Sequence, residues 1–323
     1  MRRTIGTVLL VLGFFGVALA VLVRFQLAPK LIAAPLDQYA KATLTSPNGQ
    51  YLDLATGQPV TVPLVITATT RGVVEQSTDD TAVWDSFTAI QRETDQEVMS
   101  ASEWRLAFDR RTGELKTCCS AHVNGNSAVS QSGLGLMFPT GDRLEKKDYT
   151  RFDSSTGRTW TAEFAGEEDV AGVKTYKFTE KIENAVLGAP TQVPATFFDK
   201  TAKGEVSAEK VFSADITVWV EPRTGSPIDQ RQKVDTKLRS QADGAEVSVL
   251  SGDFGMTDET RAALVDNAEE SIGKIQLLKL TGPLVLLVLG LGLIGAGVVL
   301  RRTPGRRRAG GAAPAAEKAP ETV

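Results

Sequence analysis

Two long uncharged segments, one near each end of the chain, dominate the pattern of apolar and polar residues. Ile5–Val23 contains 19 residues without a charge, and Thr281–Leu300 contains 20. A helix of 19 residues is about 28 Å long, close to the thickness of the hydrocarbon core of a bilayer. We therefore predict an N-terminal transmembrane helix within residues 1–24 and a C-terminal transmembrane helix at residues 281–300.

A cleavable signal peptide is the alternative interpretation of the first segment. Ala18-Leu19-Ala20 has the small-residue spacing of a cleavage site, and Arg2 and Arg3 would supply the positively charged region before it. The apolar run nevertheless continues beyond that site to Val23 and is longer than the usual core of a signal peptide. An uncleaved signal anchor is therefore the favoured interpretation.

The charges beside the second segment predict the orientation of the chain. Five arginines lie within residues 301–308, whereas only Lys274 and Lys279 lie just before the segment. Because Lys and Arg are enriched on the cytoplasmic side of membrane helices, we predict that the C-terminus is cytoplasmic. With two spans the N-terminus lies on the same side, so both termini are predicted to be cytoplasmic and the central domain extracytoplasmic. The tail, residues 301–323, is rich in Arg, Ala, Gly and Pro and is predicted to be disordered and basic.

Residues 25–256 have the pattern of an extracytoplasmic β-rich domain. Thr61–Thr69 is rich in β-branched residues, and apolar and polar residues alternate along Val170–Glu180 and Val211–Val220. Asn124-Gly125 is a strong signal for a two-residue hairpin turn. These features predict an α+β fold in which a large curved antiparallel β-sheet packs against helices, flanked by the two transmembrane helices.

From Thr257 to residue 280 the period becomes helical. Thr257 is a suitable N-cap, and Leu264, Ala268, Ile272 and Ile275 recur on one helical face. We predict an amphipathic juxtamembrane helix over residues 257–280, which serves as a stalk or as a lid against the sheet.

One short motif occurs twice in the β-rich region. Asp109–Gly113 and Glu221–Gly225 both read as an acid, any residue, then Arg-Thr-Gly, and each follows a predicted strand that contains a tryptophan. Such a sequence forms a tight turn in which glycine adopts a positive φ. The two copies indicate either two similar halves or one hairpin turn used twice, and the second interpretation is favoured.

The charge distribution argues against nucleic acid as a partner. The net charge is −3, but eight of the 36 Lys and Arg lie in the two terminal segments, together with only two of the 39 Asp and Glu. The middle of the chain is therefore acidic, whereas binding to phosphate requires clustered basic residues.

Residues with catalytic or metal-binding potential are scarce. His122 is the only histidine and lies beside the Asn124-Gly125 turn, which is typical of an exposed loop. Ser207–Lys210 matches the Ser-x-x-Lys motif of penicillin-binding enzymes without its companion motifs. The acidic pairs and triplets, Asp79-Asp80 and Glu167–Asp169, lack the ligand spacing of calcium loops. We therefore predict no catalytic, cofactor or metal residues, and a protein that is not an enzyme.

Cys118 and Cys119 are the only cysteines and are adjacent. Free thiols are unusual outside the cytoplasm, so a disulfide between these two residues is the favoured interpretation, with a role in stiffening a turn. A disulfide between two chains and a soft-metal site remain the alternatives.

Several segments together resemble an actinobacterial family labelled porin PorA-like, whose domain is otherwise of unknown function and which carries two terminal transmembrane helices. The resemblance rests on Gly133–Pro139, Lys146–Tyr149, Phe152-Asp153, Gly166–Phe178 and Trp219–Asp229, and extends over nearly the whole chain. It implies no catalytic residues. The label porin implies a pore, although the two spans have the pattern of helices rather than of a membrane β-barrel.

A second resemblance is to bacterial lipoprotein lipid carriers, in which a half-barrel sheet is closed by helices. It rests on Glu168–Tyr176 and on the hairpin Trp219–Pro227. This resemblance implies an apolar cavity that binds acyl chains. The resulting hypothesis is a non-enzymatic cell-envelope protein that interacts with the membrane bilayer and binds or passes on a lipid or lipoglycan. The alternatives are a structural or assembly protein that docks unidentified protein partners, and a pore-forming protein.

Overall fold

The computed structural model describes residues 2–302 and contains two compact units. Within the described residues, one unit comprises residues 2–27 and 278–302, and the other comprises Ala28–Leu277. We call them the helical unit and the sheet unit. The predicted tail, residues 301–323, lies outside the described residues except for Arg301 and Arg302, which end the last helix.

The helical unit is a pair of long apolar helices. Helix α1 spans Arg2–Leu22 and α4 spans Gly282–Arg302, and both are long and apolar enough to cross a membrane. Glycines allow the two backbones to approach closely, because a β-carbon on Gly13 would lie only 2.7 Å from the carbonyl oxygen of Gly290. Small residues at such crossings are typical of packed membrane helices.

The sheet unit contains an 11-stranded antiparallel sheet that curls into a half-barrel. Along the sheet the order is β5-β4-β3-β2-β1-β11-β10-β9-β8-β7-β6. The strands are β1 Tyr39–Asp53, β2 Gln58–Gly72, β3 Thr81–Arg92, β4 Val98–Asp109, β5 His122–Val123, β6 Tyr149–Asp153, β7 Arg158–Val170, β8 Val173–Pro194, β9 Glu205–Val220, β10 Pro227–Ser240 and β11 Glu246–Met256. The predicted fold class, with its large curved sheet and two terminal helices, is thereby confirmed.

Two shorter helices complete the sheet unit. Helix α2 is a single turn at Ala28–Leu31, and α3 spans Asp258–Gln276. Thr257 is the N-cap of α3, since its hydroxyl oxygen accepts a hydrogen bond from the Thr260 amide. The buried Val265 and Ala268 of α3 pack against the sheet.

The first and last strands of the sheet unit are neighbours. Leu44 of β1 lies opposite Met256 of β11, and Tyr51 lies opposite Leu250. The pairing is irregular between Thr45 and Gln50. As a result, the chain enters and leaves the sheet on adjacent strands.

The repeated acid-x-Arg-Thr-Gly motif forms the same turn at both positions. The Asp109 carboxylate accepts hydrogen bonds from the amides of Arg111 and Thr112 at 2.9 and 3.1 Å. The Glu221 carboxylate accepts equivalent bonds from residues 223 and 224 at 3.1 and 2.7 Å. In each turn the glycine amide donates to the carbonyl of the acid at 2.9 Å, and the glycine has a φ of +75° or +70°. The two motifs therefore form the same hairpin turn with the same hydrogen bonds, as the favoured interpretation of the repeat predicts.

Both turns hold one segment, residues 133–141, which we call the closing segment. The Thr140 amide donates to the Arg111 carbonyl at 2.8 Å, and the Phe138 amide donates to the Gly225 carbonyl at 3.0 Å. The closing segment contains Gly133–Pro139, the first stretch that carries the family resemblance. Phe138 is completely buried and stacks on Phe178, with ring centroids 4.8 Å apart.

The closing segment also connects the two edges of the sheet. The Leu115 amide, in the hairpin that extends β4, donates to the Gly133 carbonyl at 2.8 Å. On the other side, Leu134 exchanges backbone hydrogen bonds of 2.8 Å with β6, at Thr150 and Phe152. The segment therefore satisfies backbone groups at both edges that would otherwise be unpaired, and it holds the sheet in its curled form.

We predict that Gly225→Ala destabilises the protein much more than Gly244→Ala. Both glycines have a positive φ, which costs an alanine about 1–2 kcal/mol. Only at Gly225 would the added β-carbon also meet backbone, 2.2 Å from the Phe138 carbonyl oxygen. Nothing lies within 4 Å of that position at Gly244. We expect a loss of about 2–5 kcal/mol in the free energy of unfolding at Gly225, since the cost of overpacking adds to the backbone strain.

Urea unfolding of the detergent-solubilised full chain, followed by tryptophan fluorescence, measures this difference. Equal losses for the two variants would contradict the role assigned to the closing segment.

Candidate functional site

A large cavity lies within the sheet unit, on the concave face of the sheet. Its volume is about 1220 Å³, and residues from nine strands and from α3 line it. This volume exceeds the range of about 300–1,000 Å³ that is usual for small-molecule sites. The cavity is therefore large enough for a ligand of lipid size.

The alternation of side chains along each strand builds the wall of the cavity. In β3 every second residue faces inward, at Trp84, Ser86, Thr88 and Ile90. The same period of two occurs at Ile66–Thr70 of β2, because successive side chains of a strand point to opposite faces of the sheet.

Small inward-facing residues leave the space open. On three adjacent strands, Ala68 lies opposite Thr88, and Thr88 lies opposite Ser102, all three of which line the cavity. Large aliphatic residues at these positions would fill the interior, as they do in an ordinary core. The cavity therefore arises from the choice of Ala, Ser and Thr at positions where the strand pattern alone would permit Leu or Phe.

The wall of the cavity contains both apolar and polar side chains. Apolar contributors include Leu44, Ile66, Phe212, Ile216 and Met256. Helix α3 covers part of the concave face, with Leu264 packed against the apolar cluster around Phe254. Polar residues of the same helix, including Asn267 and Lys274, also line the cavity. The arrangement suits a ligand with a long apolar part and at least one polar group.

Charged groups lie along one side of the cavity. Arg151 of β6 is 3.4 Å from the Glu180 carboxylate of β8, whose side chain is only 4% exposed. Burial raises the pKa of Glu180, although the charge of Arg151 opposes the shift. Burial likewise raises the pKa of Asp153, against hydrogen bonds from Thr156. Both carboxyl groups thus hold a proton more readily than exposed ones do.

The Arg151 guanidinium is incompletely paired. Its Nε is buried and has no hydrogen-bond partner among the described residues, and its Cζ lies 5.6 Å from the centre of the Phe138 ring. An unsatisfied buried donor is costly, so this group is a candidate for interaction with a polar part of a ligand or with water.

Most of the residues that the sequence suggested for catalysis lie outside the cavity lining. His122 is half-buried, its Nδ1 accepts a hydrogen bond from the Gly125 amide, and it does not line the cavity. The Ser207 hydroxyl donates to the Gln241 side chain, 2.8 Å away. Lys210 lines the cavity. These residues form no constellation for nucleophilic catalysis.

The acidic stretches pair with basic groups of the chain. Asp80 is 2.7 Å from Arg111, and Glu167 is 2.6 Å from Lys146. Glu168 accepts hydrogen bonds from Lys177 and from the Trp219 indole, which lower its pKa, the lysine being the larger cause. Residues 2–302 contain no group of three or more His, Cys, Asp or Glu with the arrangement of a metal site.

Cys118 and Cys119 lie in the loop between β4 and β5, away from the cavity lining. The structure joins the two sulfurs in a disulfide. The backbone of Cys119 and Ser120 has φ angles of +61° and +56°, so the loop turns sharply there. The pairing of Cys118 with Cys119 stays a prediction.

We expect purified, unreduced protein to contain no thiol that reacts with iodoacetamide after denaturation, and reduced protein to contain two. The tryptic peptide with both cysteines should be two hydrogens lighter before reduction. A covalent dimer that reducing agent dissociates, or two free thiols in fresh protein, would contradict the intrachain pairing.

Comparison with known proteins identifies the family. The family model described as Porin PorA matches residues 5–299, which include most of both long helices and the whole sheet unit. The chain belongs to the Porin PorA family. A relative named Porin PorA, from Corynebacterium resistens, is 22% identical over 413 aligned positions, which cover 96% of this chain and 98% of the relative.

Membership of the Porin PorA family confirms the first resemblance seen in the sequence. The match covers the closing segment and the strands that line the cavity, as well as both terminal helices. Family membership assigns no function to individual residues of this chain. The candidate site is therefore defined by the geometry of the cavity alone.

Proposed function

We propose that this member of the Porin PorA family is a non-enzymatic cell-envelope protein whose sheet unit binds the apolar part of a lipid or lipoglycan. The supporting observation is the 1220 Å³ cavity on the concave face of the sheet. The two apolar helices, and the arginines that follow the second, favour a membrane location with cytoplasmic termini and an extracytoplasmic sheet unit.

The energetics of burial favour such a ligand. Transfer of each methylene from water to an apolar environment contributes about 0.8 kcal/mol, so an acyl chain of about ten buried methylenes gains roughly 8 kcal/mol before the costs of binding. Leu44, Ile66, Phe212 and Ile216 provide apolar surface for this contact. Arg151 and Glu180 would then lie near a polar portion of the same molecule.

We predict that Ala68→Trp strongly weakens lipid binding and that Thr69→Trp does not. Residue 68 lines the cavity, and an indole there would occupy the space opposite Thr88. Residue 69 points to the other face of β2, beside the exposed Phe87. The two variants therefore add the same side chain to the same strand on opposite faces.

The assay uses the full chain in nanodiscs and a fluorescent fatty acid whose emission increases in an apolar site. Wild type and Thr69→Trp should show saturable binding, and Ala68→Trp should show at least about a ten-fold weaker affinity, the equivalent of losing roughly 1.4 kcal/mol. Equal binding by both variants, or none by wild type, would refute the assignment of the cavity.

A pore is the second candidate function, because the family and its relative are both named porin. The outer face of the sheet weighs against a pore made of these strands. It carries ion pairs such as Arg231–Asp253 and Lys237–Glu246, at 2.6 and 2.9 Å, whereas a membrane barrel presents an apolar band to lipid. Any pore would therefore have to involve the helices or several copies of the chain.

Planar-bilayer recordings separate the two candidates. If the sheet unit is a lipid-binding module, purified full chain should produce no discrete conductance steps above a protein-free control. Reproducible steps that persist in Ala68→Trp would favour the pore, since that variant blocks the cavity without altering the helices.

A further inference from the structure

The hairpin formed by β8 and β9 extends past the end of its neighbour β10. The last pair that β9 makes with β10 is Ala208 with Ser240, whereas β8 and β9 remain paired as far as Pro194 and Glu205. A short 3₁₀ turn at Ala195–Phe197 forms the tip. We call residues 184–207 the strap.

The tip of the strap reaches a distant part of the same sheet. The Lys200 ammonium donates a hydrogen bond to the Gln58 side chain at 3.2 Å. The ring of Phe197 lies 3.4 Å from the position of a β-carbon on Gly57, in the turn between β1 and β2. Strands β11 and β10 separate β1 from β9, so three inter-strand spacings, about 14 Å in all, lie between them.

The strap crosses this distance on the concave side of the sheet. Four of its residues line the cavity, namely Leu187, Gly188, Ala189 and Thr191. Leu54, in the turn that the tip contacts, also lines the cavity and is 69% exposed. The strap and the β1–β2 turn therefore bound the same end of the cavity from two sides.

The base of the strap is irregular in a way that permits bending. The pairing of β8 with β9 shifts register twice, between Ile182 and Ala185 and between Leu187 and Thr191. Asn184 and Gly188, within these bulges, have φ angles of +49° and +67°. A bulge bends a strand and disrupts its ladder locally. Beside the bulge near Asn184, β9 is paired on its other side with β10, whereas the bulge near Gly188 lies where β10 ends, since Ala208 pairs with both Thr191 and Ser240. Gly188 therefore marks the point from which the hairpin can bend.

We propose that the strap is a gate over this end of the cavity, which opens by flexing at Gly188 and closes when its tip rests on the β1–β2 turn. The proposal rests on the lipid-binding function proposed above. A long apolar ligand enters and leaves between the strap and the β1–β2 turn, and the polar contact of Lys200 with Gln58 closes the passage. The gate thus controls the rate of exchange more than the affinity.

Covalent closure tests the gate. In the variant Gln58→Cys/Lys200→Cys, a short bis-maleimide should join the tip of the strap to the β1–β2 turn in the full chain held in nanodiscs. The protein is loaded with a fluorescent fatty acid before cross-linking, and release into excess phosphatidylcholine vesicles is followed. Cross-linking should slow release at least about ten-fold, as expected for a rate-limiting lid.

Two controls keep the result specific. Each single cysteine variant, treated in the same way, should release the probe at the wild-type rate. The pair Lys237→Cys/Glu246→Cys cross-links neighbouring strands β10 and β11 through residues that do not line the cavity, and it should also leave release unchanged.

The outcomes distinguish the two proposals. Unchanged release from the cross-linked Gln58→Cys/Lys200→Cys protein, with normal uptake before cross-linking, overturns the gate and leaves lipid binding intact. Failure of the untreated protein to take up any probe overturns lipid binding, and the gate with it. Slowed release in the β10–β11 control as well would show that stiffening the sheet, rather than closing the strap, controls exchange, and would overturn the gate.

Discussion

The structure of the sheet unit depends on how the two edges of a long curled sheet are held. An 11-stranded antiparallel sheet with free edges exposes unpaired backbone groups and can flatten or associate with other chains. Here the closing segment makes backbone hydrogen bonds to the β4 hairpin and to β6 at once, and two identical turns fix it from either side. Gly113 and Gly225 leave no room for a β-carbon, so these contacts are formed backbone to backbone. The curl that encloses the cavity follows from this arrangement.

An open cavity lowers the stability of the sheet unit, because the space is not filled by packed side chains. Filling the interior with large aliphatic side chains would add dispersion contacts and burial, whereas Ala68, Ser86, Thr88 and Ser102 forgo them. The compensating burial lies in the clusters beside the cavity, where Phe138 stacks on Phe178 and Trp84 meets Phe108 edge to face. Tight packing thus occurs near the closing segment and in the cluster around Phe254, while part of the concave face stays open.

Much of the architecture could be predicted from the sequence because its signals are local. Uncharged runs identified the two long helices, a β-branched run identified β2, and alternation identified parts of β8 and β9. The paired Arg-Thr-Gly motif identified two equivalent turns. The cavity could not be predicted in this way. Ala, Ser and Thr are ordinary residues in a strand, and the sequence does not show that they face the same space until their cross-strand partners are known. The approach of Arg151 to Glu180 was hidden for the same reason, since 29 residues and a whole intervening strand separate them. The bent strap likewise depends on bulges, which leave little trace in residue pattern.

The adjacency of β1 and β11 has a mechanical consequence. Both points at which the chain enters and leaves the sheet lie on paired antiparallel strands, with Leu44 opposite Met256. A force that draws these two points apart loads the hydrogen bonds between β1 and β11 one after another, in the manner of a zipper, rather than all together in shear. The first ladder to yield under tension is therefore the seam with an irregular register between Thr45 and Gln50. The closing segment holds the sheet at β6 and at the hairpin that follows β4, but the mechanically weakest line of the sheet runs through its centre.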